Sequence, residues 1–145
     1  MTDAPATVVQ GGRAKAYRPL PAAERDAALR KGIAAYEAGD FFAAHEHLEP
    51  AWMGTADPAE RNLHQGLIKL AAGYVHAVRG NPLGMAKNLR GASDRLAEAL
   101  VDDVDPRGLD LPAILGEIDG RLAELAAEPG RVRLDQPPLH RRRMR

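Results

Sequence analysis

The residues best suited to chemistry lie between positions 45 and 52, where two histidines and two glutamates precede the chain's only tryptophan. His45 and Glu49 are one helical turn apart, so they form an i,i+4 pair at the edge of an apolar face. Glu46 falls at the margin of that face, His47 points toward solvent, and Trp52 continues the apolar arc. Because buried charged groups need partners, this helix predicts a partly buried polar site.

A second helix offers partners for this pair. Gln65, Lys69 and His76 lie along a narrow polar stripe of an otherwise apolar segment. If the two helices pack antiparallel, this stripe meets His45 and Glu49. The sequence thus predicts a polar cluster of His45, Glu49, Trp52, Gln65, Lys69 and His76.

Three interpretations of this cluster stay open. The first is a hydrogen-bonded network that locks two helices together. The second is a metal site, since imidazole and carboxylate suit Zn, Mn or Fe and helical bundles hold such sites; His45, Glu49 and His76 would be its ligands, and Glu46 the general base of a hydrolase. The third is a metal-free catalytic or ligand-binding site.

Periodicity and capping signals predict the elements that position these residues. Four short stretches each carry signals for a helix stop, a cap or a start: Gly39-Asp40, Asp57-Pro58, Gly80-Asn81-Pro82, and Asp110 with Pro112. They divide the chain into about five helices. The expected fold is all-α: two stacked antiparallel helical hairpins, with a weak repeat of 41 residues, plus a closing C-terminal helix.

The ends of the chain show no helical period. Residues 1–20 are expected to form a flexible arm, residues 21–128 a single helical domain, and residues 129–145 a basic tail. Six arginines stand between Arg131 and Arg145. Arg141, Arg142, Arg143 and Arg145 could contact nucleic-acid phosphates, although a solvated tail explains them as well.

The order of residues in the central region resembles the domain-of-unknown-function 309 family, which comprises small all-helical bacterial and archaeal proteins. The matching stretches are Gly39 to Glu46, Leu48 to Trp52, Gln65 to Ala72, His76, Gly80-Asn81 and Gly84. The resemblance covers about residues 25–100. It implies the helical fold and singles out His45, Glu46, Glu49, Trp52, Gln65 and His76, but it supplies no activity.

The chain departs from that family's usual pattern at two positions. Ala43 stands where a glutamate is usual, and Lys69 stands where a glutamine is usual. A lysine facing Glu49 or His76 would satisfy the carboxylate and displace a metal ion. Lys69 therefore favours a binding or scaffold role over metal chemistry.

Composition excludes several other functions. The chain has 145 residues, no cysteine and a formal net charge of zero, so it has no thiolate chemistry and no overall basic field for nucleic acid. Ser93 is the only serine in the chain and has no nucleophile-elbow context. No apolar run reaches a membrane span. We expect a cytoplasmic protein, and leave open whether it is a homo-oligomer.

Overall fold

Five helices make up most of the structure, a computed structural model that describes residues 7–141. An antiparallel two-stranded sheet precedes them. In chain order the elements are β1 (Thr7–Gln10), β2 (Arg13–Ala16), α1 (Ala22–Glu37), α2 (Phe41–Met53), α3 (Pro58–Val78), α4 (Pro82–Val101) and α5 (Leu111–Ala127). The predicted all-α fold of about five helices is confirmed.

The helices begin where the capping signals predict. The side chains of Asp40, Asp57, Asn81 and Asp110 each accept a hydrogen bond from the main-chain amide three residues later. Such a bond satisfies one of the free amides at a helix start. α2 continues through Pro50 to Met53.

Consecutive helices pack against each other, and α3 lies at the centre. Its apolar residues are buried around most of its circumference, including Leu63 and Tyr74 at 0% exposure. Gly66 faces Leu96, and Gly73 faces Leu89, which shows that α3 and α4 run antiparallel in close contact. These small residues fix how near the two backbones come.

The close approach at Gly66 gives a testable prediction. A β-carbon there would lie 2.6 Å from Cγ of the fully buried Leu96. Overpacking of this kind costs about 1–3 kcal/mol, more than the roughly 1 kcal/mol that alanine gains over glycine in helix propensity. We expect Gly66→Ala to lower the free energy of unfolding in urea by about 1 kcal/mol.

Gly120 provides the matched control, since it lies within α5 with open space where a β-carbon would be. We expect Gly120→Ala to raise stability by about 0.5–1 kcal/mol. Equal effects of the two substitutions would show that α3 and α4 do not approach as closely as described.

The hairpin of β1 and β2 differs from the flexible arm that the sequence predicts. Gly11 and Gly12 form its turn with φ of +58° and +76°, the geometry that a two-residue hairpin turn requires. Gln10 is its one buried residue and contacts α2 and α3. The segment shows only weak alternation of apolar and polar residues. Its attachment to the helices therefore depends on contacts with residues far away in sequence.

The segment after α5 also differs from the solvated tail that the sequence predicts. Residues 131–141 contain the buried side chains of Pro137 and Leu139. The hydroxyl of Tyr36 donates to the Pro137 carbonyl at 2.7 Å, and the amide of Asp110 donates to the His140 carbonyl at 2.7 Å. This segment therefore packs on the helices. Arg142, Arg143 and Arg145 lie outside the described residues.

Within residues 7–141, none of the helices has the length and apolar character that crossing a membrane would require.

Candidate functional site

A cleft of about 260 Å³ opens between α2, α3 and α4 at the place where the sequence predicts a site. It brings together five of the predicted residues. The lining residues are His45, Glu49, Trp52, Gln65, Ile68, Lys69, Ala72 and Asn88. The antiparallel packing of α2 and α3 explains this grouping, because it places the polar stripe of α3 beside the His45–Glu49 edge.

His45 and Glu49 form the expected pair but remain half-exposed. Nδ1 of His45 lies 3.9 Å from Oε2 of Glu49, and the side chains are 39% and 44% exposed. An exposed pair at this distance stabilises a helix by only about 0.3–0.5 kcal/mol. Its two polar groups are therefore available to a molecule in the cleft.

Lys69 is the cation of the cleft. Burial lowers its pKa, and the nearby positive charges of Arg95, Lys15 and Lys87 lower it further. Within residues 7–141, no carboxylate lies within 4.0 Å of its ammonium group. Lys69 thus does not pair with Glu49, and among residues 7–141 the positive charge of the cleft is unpaired and partly dehydrated.

Two predicted residues lie outside the cleft. Glu46 is exposed on the outer face of α2. His76 lies seven residues beyond Lys69, about 10 Å along the helix. There its Nδ1 is 3.2 Å from the side-chain nitrogen Nδ2 of Asn81. In the part of the chain that the structure describes, no three His, Asp or Glu side chains are grouped to hold a metal ion. His45, Glu49 and His76 are therefore not gathered into one site.

A comparison with known families adds one finding. A family model described as Domain of unknown function (DUF309) matches residues 29–88. The predicted family resemblance is confirmed. No curated protein and no solved structure matches the chain. The DUF309 segment runs from α1 into α4 and supplies every lining residue of the cleft.

A polar network beside the cleft was missed by the sequence reasoning. Gln10, outside the DUF309 segment, accepts hydrogen bonds from Trp52 Nε1 at 2.7 Å and from Arg61 Nε at 3.3 Å. Its amide nitrogen donates to Asn62 Oδ1 at 3.2 Å and to Gln65 Oε1. Trp52 and Gln65 thus belong both to the cleft and to this network. No local pattern marks residues that are 42 to 55 positions apart as partners.

Glu60 anchors a second network that local pattern could not reveal. Its carboxylate accepts from Arg25 Nε at 2.6 Å and lies 3.4 Å from both His64 Nε2 and Arg107 Nη2. Burial alone would raise the pKa of Glu60, but hydrogen bonds from His64 and Arg25 and the charge of Arg107 lower it to about 2. The sequence marks Glu60 only as the third residue after a helix cap.

Of the four tail arginines that could contact nucleic-acid phosphates, only Arg141 lies within the described residues. Its guanidinium forms an ion pair with Glu37 Oε1 on α1. It also pairs through its main chain with Leu109. Arg141 therefore helps to attach the C-terminal segment to the helical part of the protein.

Proposed function

We propose that this chain is a small binding domain whose cleft takes a small molecule bearing an anionic group. Lys69 carries the proposal: it is partly buried in the cleft, and no carboxylate among residues 7–141 neutralises it. Dehydrating an ammonium group without a partner is unfavourable, so a bound anion would recover much of that free energy.

The remaining lining residues suit recognition of such a ligand. Gln65 and Asn88 offer amide groups, the half-exposed imidazole of His45 can donate or accept a hydrogen bond, and the carboxylate of Glu49 can accept one. A volume of about 260 Å³ lies just below the usual range for ligand pockets, so the ligand is small. The neighbouring Arg95 adds to the positive field.

The alternative of a metal-dependent hydrolase receives less support. Its three proposed ligands are divided between the cleft and the far end of α3, and its proposed base, Glu46, is exposed and does not line the cleft. Binding therefore explains the arrangement with fewer additional requirements than metal-dependent hydrolysis.

Replacing Lys69 tests the proposal. Inorganic phosphate and acetate are titrated into the full chain while the indole N–H resonance of Trp52, the only tryptophan, reports on the cleft. We expect a saturable shift in the natural protein, and at least a tenfold weaker response in Lys69→Met, since about 1.4 kcal/mol of charge interaction is lost.

Lys87→Met is the matched control, because Lys87 is an exposed lysine of α4 that contributes to the same field but does not line the cleft. It should bind both probes within about twofold of the natural protein. Equal binding by Lys69→Met and the natural protein, or no saturable shift with either anion, would overturn the proposal.

A further inference from the structure

Arg61 is a buried cation whose hydrogen-bond partners are all uncharged. It is 1% exposed. Its guanidinium donates to the carbonyls of Trp52 and Thr55 at 3.0 Å and of Ala16 at 3.3 Å, and it lies 4.9 Å from the centre of the Trp52 ring. Within residues 7–141 no carboxylate approaches within 4.0 Å. Buried charges are normally paired, so the surroundings of Arg61 would favour a negative group.

Gln10 occupies the position where such a group would fit. Its Oε1 accepts from both Arg61 and Trp52, and glutamine has the shape of glutamate. Its nitrogen meets the side-chain amides of Asn62 and Gln65. Because an amide turned by 180° presents N–H₂ in place of oxygen, these two groups can also donate to a carboxylate. A carboxylate here would have donors from four side chains.

Gln10, which occupies this position, belongs to the hairpin of β1 and β2, which is lightly attached to the helices. Gln10 is the only buried residue of the hairpin, whereas Val9 on the same strand is 74% exposed. The other binding groups all belong to α2 and α3 within residues 29–88. Removing Gln10 would therefore open the site without removing any part of the helices.

We infer that Trp52, Arg61, Asn62 and Gln65 form a carboxylate-binding site that Gln10 holds closed and that a ligand opens by displacing Gln10. The inference rests on the proposed function and extends it. Arg61, Gln65 and Lys69 follow one another at intervals of one helical turn, so the site continues into the cleft. The ligand is then a small molecule with two anionic groups, a carboxylate at Arg61 and a second group at Lys69.

The test uses Gln10→Ala in the full chain, with propionate and propionamide as probes and the Trp52 indole resonance and Tm as readouts. We expect propionate to bind Gln10→Ala at least tenfold more tightly than propionamide does. We also expect it to bind at least tenfold more tightly than to the natural protein, in which the closed hairpin reduces the apparent affinity. Gln10→Glu supplies its own carboxylate and should bind propionate at least tenfold more weakly than Gln10→Ala does.

Val9→Ala is the matched control for general loosening of the hairpin, and should bind propionate as the natural protein does. Propionamide binding as tightly as propionate, or no gain in Gln10→Ala over the natural protein, would overturn the inference. So would propionate binding by Gln10→Glu as tight as that by Gln10→Ala.

Failure of the two proposals can be told apart. Adding Lys69→Met to Gln10→Ala should leave the tighter propionate binding gained in Gln10→Ala within about threefold, because Arg61 and Lys69 are about 12 Å apart along α3 and one carboxylate at Arg61 does not reach Lys69. If propionate binds Gln10→Ala, but phosphate and acetate bind the natural protein and Lys69→Met equally, the Arg61 site is supported and the proposed role of Lys69 is wrong. The opposite pattern leaves Lys69 supported and overturns the Arg61 site.

Discussion

Arg61→Met is expected to lower the free energy of unfolding by about 3 kcal/mol, the largest effect of any substitution considered. The guanidinium holds three main-chain carbonyls, two at the end of α2 and in the turn after it and one in β2, and each buried acceptor left without a donor costs about 1 kcal/mol or more. Contact with the Trp52 ring contributes about another 1 kcal/mol.

One effect opposes this loss. Methionine removes a buried cation that has no carboxylate partner among residues 7–141, and replacing buried charge by apolar groups can stabilise a protein by 1–4 kcal/mol. We expect the loss to prevail, because methionine satisfies none of the carbonyls. Urea unfolding measures the balance, and a variant as stable as the natural protein would show that dehydration of the charge dominates.

Arg90→Met serves as the control for this experiment. Arg90 is exposed on α4, so its replacement should change the free energy of unfolding by less than about 0.5 kcal/mol.

Glu60→Gln is expected to cost about 2 kcal/mol at pH 7. The substitution keeps the shape of the side chain but removes the charge that Arg25, Arg107 and His64 share. The lowered pKa of Glu60, about 2 against an ordinary 4.5, corresponds to about 3 kcal/mol by linkage, which solvent near the arginines reduces.

The pH dependence of this difference has a definite sign. Because the folded protein holds Glu60 ionised to lower pH than the unfolded chain does, its contribution is present above about pH 4.5 and disappears as pH falls toward 2. The stability difference between the natural protein and Glu60→Gln should therefore shrink over that window. Urea unfolding at a series of pH values measures it, and a constant difference would contradict the assignment.

His64 adds a separate acid sensitivity. Burial lowers its pKa, and its Nδ1 has no hydrogen-bond partner within residues 7–141. Since the unfolded chain then takes up the proton first, stability should begin to fall as pH drops below about 6.5. Glu46→Gln is the control for both effects: Glu46 is exposed, and its loss should change stability by less than about 0.5 kcal/mol at any pH.

Local pattern predicted those parts of the molecule that depend on neighbours in sequence. The caps at Asp40, Asp57, Asn81 and Asp110 follow from residues within one turn. The placement of His45 and Glu49 beside Gln65 and Lys69 also follows, because short connections force α2 and α3 to lie antiparallel.

The parts that were missed depend on distant partners. Gln10 acquires its role from Trp52, and the tail acquires order because Pro137 accepts a hydrogen bond from Tyr36, 101 positions earlier. His76 lies on the predicted stripe but too far along α3 to reach His45. Helical period defines a direction around the axis, and it does not define position along a neighbouring helix.

The hairpin and the C-terminal segment both lie outside residues 29–88, yet each completes contacts that begin inside that range. A fragment cut at those limits would end within α4 and would lack α5. It would leave Tyr36 without its acceptor and Arg61 without Gln10. The stretch that the family model matches is therefore shorter than the set of residues that these contacts join.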